Sequence, residues 1–130
     1  MRFFFAILCV MSFIVAACGL NTVQCECPTL SPTVTFTITD SATGDKIQDP
    51  VFSVDGASAN GQCIGVFPDD AGPDAGPLCN QFRVTLPVGH STVTVGATGY
   101  QTQTFGFDTA MSGGCCSSGT QLNQQVALSH

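Results

Sequence analysis

From Thr33 onward, apolar residues recur at every second position, and that period of two decides the fold class. Val34, Phe36 and Ile38 alternate with Thr35, Thr37 and Thr39, the pattern of a strand with one face in a core and the other in water. Asp40-Ser41-Ala42-Thr43-Gly44-Asp45 follows. This is turn chemistry, because Asp and Ser bond nearby backbone amides and Gly accepts a positive φ. Phe52 and Val54 then alternate with Ser53 and Asp55, and the run stops at Gly56. Cys63 to Phe67 reads as a third short strand. Phe82, Val84 and Leu86 alternate with Arg83 and Thr85, and Pro87-Val88-Gly89 turns the chain. Val93, Val95 and Ala97 share a face opposite Thr92, Thr94 and Gly96, with a second turn at Thr98-Gly99. Phe105 and Phe107 mark another strand, and Leu122, Gln124, Val126 and Leu128 alternate near the end. No stretch of this region sustains a helical period. Six or seven short strands separated by turn residues predict an all-β domain over residues 33–130, an antiparallel sandwich in preference to a barrel.

The first residues are of another kind. Arg2 precedes an apolar run from Phe3 to Ala16, broken only by Ser12, and small residues stand at Ala16 and Ala17. A basic residue, an apolar run and small residues form the layout of a secretory signal. The run also extends to Leu20, at the lower limit of a membrane-spanning helix. Arg2 lies before it and no Lys or Arg follows until Lys46, so the bias of positive charge puts the remainder outside the cytoplasm on either reading. Val15-Ala16-Ala17-Cys18 resembles the lipobox of bacterial lipoproteins, in which an aliphatic residue and two small residues precede the cysteine that is lipidated. The resemblance implies a signal peptide over residues 1–17, a lipid on Cys18 and a tether over 18–32. Two or three acyl chains anchor firmly where one does not, at roughly 0.8 kcal/mol per buried methylene. Gly19 is not the Asp that retains many lipoproteins in the inner membrane, so the analogy points to the outer membrane.

The cysteines agree with export. Of eight, Cys9 falls in the signal and Cys18 at the lipidation position, leaving Cys25, Cys27, Cys63, Cys79, Cys115 and Cys116. An even set in an oxidising compartment predicts disulfides. Cys63 and Cys79 flank a flexible repeat and are expected to join each other. Adjacent cysteines bridge each other only with strain, so bonds are expected to run between the pair Cys25/Cys27 and the pair Cys115/Cys116. The same four residues could supply thiolates to Zn²⁺ or Cu⁺. Their spacings of one and no intervening residue suit disulfides better, and no metal or other cofactor is expected.

Chemistry is otherwise sparse. After the signal, two basic residues, Lys46 and Arg83, stand against nine acidic ones, a net charge of −7. Such a surface repels phosphate backbones, which excludes nucleic acid as a partner. Asp70-Ala71-Gly72-Pro73 recurs as Asp74-Ala75-Gly76-Pro77. Its prolines and glycines exclude helix and paired strand. Asp69, Asp70 and Asp74 lack the alternating spacing of a calcium loop, so a solvated loop is expected. His90 follows a turn and reads as a surface residue, and His130 as a mobile terminal one. No serine lies in a Gly-x-Ser-x-Gly elbow. Arg83 points outward between Phe82 and Val84, and Tyr100 closes a turn against the core.

Thr39-Asp40-Ser41-Ala42-Thr43-Gly44-Asp45-Lys46-Ile47, with Val51-Phe52-Ser53-Val54 after it, resembles the opening of carboxypeptidase regulatory-like domains. Phe82 to Leu86, Pro87-Val88-Gly89, Ser91 to Ala97 and Thr98-Gly99-Tyr100 resemble that family's later portion, where a strand ends in Gly-Tyr. The resemblance covers about residues 33–128 and implies a transthyretin-like, seven-stranded Greek-key sandwich. The cysteines and the long 55–80 connection depart from the family's pattern. In peptidases this domain sits beside a zinc catalytic domain, for which the chain has no room. Related folds hydrolyse hydroxyisourate with basic residues and a characteristic final tetrapeptide, which Ala127-Leu128-Ser129-His130 does not match. The expected function is that of a non-enzymatic envelope lipoprotein, an interaction or structural module with a protein or glycan partner. A small carbohydrate-binding module and a thiol-based metal or redox protein are the alternatives. One Tyr and no Trp leave a carbohydrate binder few stacking platforms.

Overall fold

A strand that alternates Thr with Val, Phe and Ile buries one face only when a second apolar surface closes on it. The computed structural model describes residues 27–67 and 78–130, and supplies that surface from a second sheet. The export segment, Cys18, Cys25 and the Asp-Ala-Gly-Pro repeat lie outside the described residues. Eight strands are present among them: β1 (Thr33–Asp40), β2 (Val51–Val54), β3 (Ala57–Ala59), β4 (Gln62–Phe67), β5 (Leu78–Thr85), β6 (Gly89–Gly96), β7 (Gln103–Thr109) and β8 (Gln121–Leu128). They form two four-stranded sheets, β4-β5-β1-β8 and β3-β2-β6-β7.

The two sheets meet at Phe36. Its ring lies 5.5 Å from Phe52, 6.4 Å from Phe105 and 6.0 Å from Phe107, measured between centroids. Those three partners belong to β2 and β7 of the facing sheet, so one β1 side chain joins both. Phe52 also reaches back to Phe82 of β5 at 6.0 Å. Val34, Phe36, Val84, Val93, Val95 and Leu128 are fully buried around this group. These are the residues that the alternation assigns to the inner face.

The structure departs from the expected strand list in two ways. It has an additional strand, β3, which contains no large apolar residue. The hairpin that makes it is set by Asp55-Gly56, the two residues between paired Val54 and Ala57. Both have positive φ, 50° and 82°, the requirement of a two-residue primed turn and the reason Asp-Gly favours one. The second departure is direction. β1 pairs with β5 antiparallel but with β8 parallel, from Thr33↔Gln121 to Asp40↔Leu128, so the sandwich is not wholly antiparallel. Between β1 and β8 the chain passes through the other sheet and crosses back, which removes the hairpin constraint that enforces antiparallel pairing.

β1 and β8 therefore both run from one end of the sandwich to the other, a span of about 25 Å for eight residues. The starting end, here the base, holds the tether. Leu30 bridges Ser118, Thr33 N–H donates to Thr120 O at 2.9 Å, and Leu86 N–H donates to Pro32 O at 2.9 Å. Gly119 belongs to this base, and a Cβ there would overlap the Pro32 backbone. Replacing Phe36 by Ala should lower unfolding free energy by about 3–5 kcal/mol, the usual cost of emptying a well-packed aromatic site. Urea unfolding followed by near-ultraviolet circular dichroism measures it, and a loss below about 1 kcal/mol would show that the sheets do not meet there.

Candidate functional site

The far end of the sandwich is organised by one carboxylate. β1 ends at Asp40, and Asp40 accepts at both oxygens. Oδ1 takes the N–H groups of Ala42 at 2.7 Å and Thr43 at 3.1 Å. Oδ2 takes the Tyr100 hydroxyl at 2.8 Å and faces His130 Nε2 at 3.1 Å. The backbone of Asp40 is bound as well: its N–H donates to Asp45 O, and its carbonyl accepts from Gly44 N–H. Gly44 has φ +78°, a value that suits glycine. The turn after β1, the Gly-Tyr turn after β6 and the segment after β8 thus converge on a single buried side chain.

Tyr100 packs against the core as the sequence implies, and its hydroxyl donates to Asp40. His130 does not behave as a mobile end residue. Its ring lies 4.2 Å from that of Tyr100, its Nδ1 faces Gly99 O at 3.1 Å, and its carbonyl accepts from Gln101 Nε2 at 3.2 Å. Both ring nitrogens face acceptors, so the ring donates through whichever of them carries a proton. Sequence periodicity ends at Leu128, and nothing local signals a partner for His130 some 30 residues away in the chain.

Asp, His and Tyr within hydrogen-bond reach are the residue types of acid–base chemistry. The geometry shows a structural task for them. A carboxylate offers about four lone-pair sites, and here three donors and a His130 ring nitrogen surround them. The Tyr100 hydroxyl donates its hydrogen bond to Asp40, and the His130 ring stacks on that of Tyr100. The trio is a latch that fixes three loops.

Beside it lies a cleft of about 410 Å³ lined by Thr43, Asp45, Lys46, Gln48, Asp49 and Thr98 among others. Gln48 is committed to the fold: its Oε1 accepts from Cys79 N–H at 2.8 Å, and its Nε2 donates to Cys79 O at 3.3 Å. One amide side chain thereby imitates a strand partner for the start of β5. His90 is exposed, as its place after a turn implies, and pairs with Asp108 at 2.8 Å across β6 and β7. Arg83 lies exposed on the outward face of β5.

Cys63 is bonded to Cys79, with Cα atoms 5.8 Å apart, across the irregular β4–β5 ladder. Cys27 is bonded to Cys116, with Cα atoms 5.2 Å apart, which ties the tether to the loop between β7 and β8. Cys115 is disulfide-bonded too. Cysteines in this oxidised state are not thiolate ligands, and the described residues contain no group of three or more His, Cys, Asp or Glu placed to hold a metal. Structural disulfides belong to oxidising compartments outside the cytoplasm.

Compared with known proteins, the chain matches no family model, no curated protein and no solved structure.

The latch has a pH signature. The Tyr100 hydroxyl, the Ala42 amide, the Thr43 amide and His130 hold the Asp40 carboxyl at about 2 against an ordinary 3.8, while burial pulls the other way. A carboxylate whose pKa is lowered by folding contributes stability that is complete above its unfolded value and lost as pH falls through the folded one. Unfolding experiments should therefore show a stability loss that begins below about pH 4 and continues toward about pH 2. Tyr100→Phe removes the largest donor, so it should lower stability at neutral pH and flatten that acid-side slope. An unchanged slope in Tyr100→Phe would contradict the latch.

Proposed function

We propose that the protein is an exported, lipid-anchored envelope module without catalytic activity, which presents its β-sandwich as a surface for a partner. The observation that carries this reading is the Cys27–Cys116 bond. Cys27 lies nine positions after Cys18, a reach of at most about 32 Å when extended. Beyond Cys27 the tether is clamped to the base by the disulfide, the Leu30–Ser118 bridge and the Thr33 hydrogen bond. An anchor at Cys18 therefore attaches the domain to the membrane through its base, the end opposite the loops gathered by Asp40.

Several features support the same reading. The signal-like first segment, the lipobox resemblance and the disulfides all belong to export. The resemblance to carboxypeptidase regulatory-like domains favours a supporting role, since in peptidases that domain accompanies a separate catalytic one. Gly19 after the lipidated position favours the outer membrane. The saturated Asp40 gives the most reactive-looking cluster a structural use.

Intact-mass analysis of the purified protein should find Cys18 at the N-terminus carrying acyl groups, and Cys18→Ala should move the protein from the membrane to the soluble fraction. An unmodified N-terminus further along the chain sinks the proposal.

A further inference from the structure

The outward face of the sheet β4-β5-β1-β8 is a field of hydroxyl and amide groups set in rows. Cross-strand pairing aligns Thr85, Thr33 and Gln121 in one row. The next contains Gln62, Arg83, Thr35 and Asn123. Thr37 then pairs with Gln125, and Thr39 with Ala127. Rows repeat at about 6.7 Å along the strands and about 4.8 Å across them. No carboxylate stands in these rows and Arg83 is the one cation in them, on a chain whose acidic residues far outnumber its basic ones.

Much of this polar capacity is unspent. Thr33 Oγ1 donates to Gln121 Oε1 at 2.6 Å, and Gln121 Nε2 donates to Gly119 O at 3.2 Å. Among the described residues, the side chains of Thr35, Thr37, Asn123 and Gln125 make no hydrogen bond to the protein. At the base of the face a recess of about 290 Å³ opens between Leu30, Ser31, Thr33, Arg83, Thr85 and Gln121. Leu30 is 57% exposed there, so the recess pairs an apolar wall with a polar rim.

Strand propensity accounts for the threonines but not for the amide row. Asn is depleted in strands, yet Asn123 stands between Gln121 and Gln125, outward and in register with β1. A protein partner fits poorly, because protein interfaces rely on aromatic, Met and Arg anchors and these rows offer a single Arg. A polyanion meets a net negative chain.

A neutral sugar polymer fits. Its hydroxyls both donate and accept, as do Thr hydroxyls and Asn and Gln amides, and its ring C–H faces suit Leu30. Each such bond replaces one to water, so the individual gain is small and many must be made together. That requirement selects a polymer over a short sugar, and it needs no aromatic platform. We propose that this face binds a neutral, unbranched polysaccharide. One sugar sits in the recess against Leu30, with Arg83 and Gln121 at its rim, and the chain lies along the β1 hydroxyls. The proposal rests on the displayed-module reading above and names its partner class.

Affinity electrophoresis of the full chain, in detergent with its disulfides intact, tests it. Gels containing hydroxyethylcellulose should retard the protein, and gels containing alginate, a polyanion, should not. The double substitution Thr35→Val, Thr37→Val keeps β-branched side chains on the face and should weaken retardation at least about tenfold with an unchanged melting midpoint. Thr104→Val on the opposite sheet should have no effect. If the double variant fails to fold, Asn123→Ala with Gln125→Ala, on the exposed side of β8, carries the same expectation. Absence of retardation by hydroxyethylcellulose, retardation by alginate alone, or full retardation of folded face variants overturns the proposal. Acylation of Cys18 has no part in this readout, so failure of the anchor and failure of the glycan face are told apart.

Discussion

Everything in this sandwich depends on β1 having two unlike faces, and on Phe36 as the point where its inner face meets the other sheet. The Phe36 ring contacts aromatic rings from β2 and β7, while β1 itself is hydrogen-bonded to β5 on one side and β8 on the other. Slipping β1 by one residue would exchange Val34, Phe36 and Ile38 for threonines in the core. A period of two makes register an all-or-nothing choice. The parallel β1–β8 pair is the longest register among the described residues, and it sets both ends at once. Residues just before β1 meet those just before β8 at the base, and residues just after each meet at Asp40.

This coupling explains which parts of the structure the sequence makes legible. The strands of large apolar residues are read directly, because alternation is local and burial follows from it. β3 escapes that reading: Ala57, Ser58 and Ala59 bury little, and the strand exists because a two-residue turn folds it onto β2. Asp55-Gly56 was the available signal, a property of the turn and not of the strand. Parallel pairing of β8 is likewise invisible locally. It depends on how often the chain crosses between sheets, which no window of residues records.

The polar side chains divide in the same way. Asp40 announces itself in part, because an Asp before Ser-Ala-Thr-Gly is a turn former and bonds amides two and three residues on. The other half of its coordination comes from Tyr100 and His130, which are distant in sequence and meet it only through the parallel pair and the β6–β7 turn. Gln48 gives no sequence signal at all. Its bond to the Cys79 backbone substitutes for a missing strand partner, and such a substitution becomes visible only once the ladder has been laid out. The disulfide Cys63–Cys79 is more accessible, since these two cysteines flank one repeat in the sequence.

The division of labour among the surfaces follows from these commitments. At the base, backbone groups are consumed by the tether and by the loop that holds Cys116. At the far end, the carboxylate most able to act on a ligand is saturated by its own loops. The polar groups at both ends stand on loops and on the tether. The outward face of the β1 sheet holds its polar groups on paired strands instead, because of the constraint that builds the core. The backbone pairing that holds Phe36 against its aromatic partners also holds Thr35 and Thr37 rigidly on the other side. A polar array on loops would have to be ordered at the moment of binding, at a cost in conformational entropy. On β1 and β8 that cost is met by folding, so even weak hydrogen bonds to a repeating ligand can accumulate.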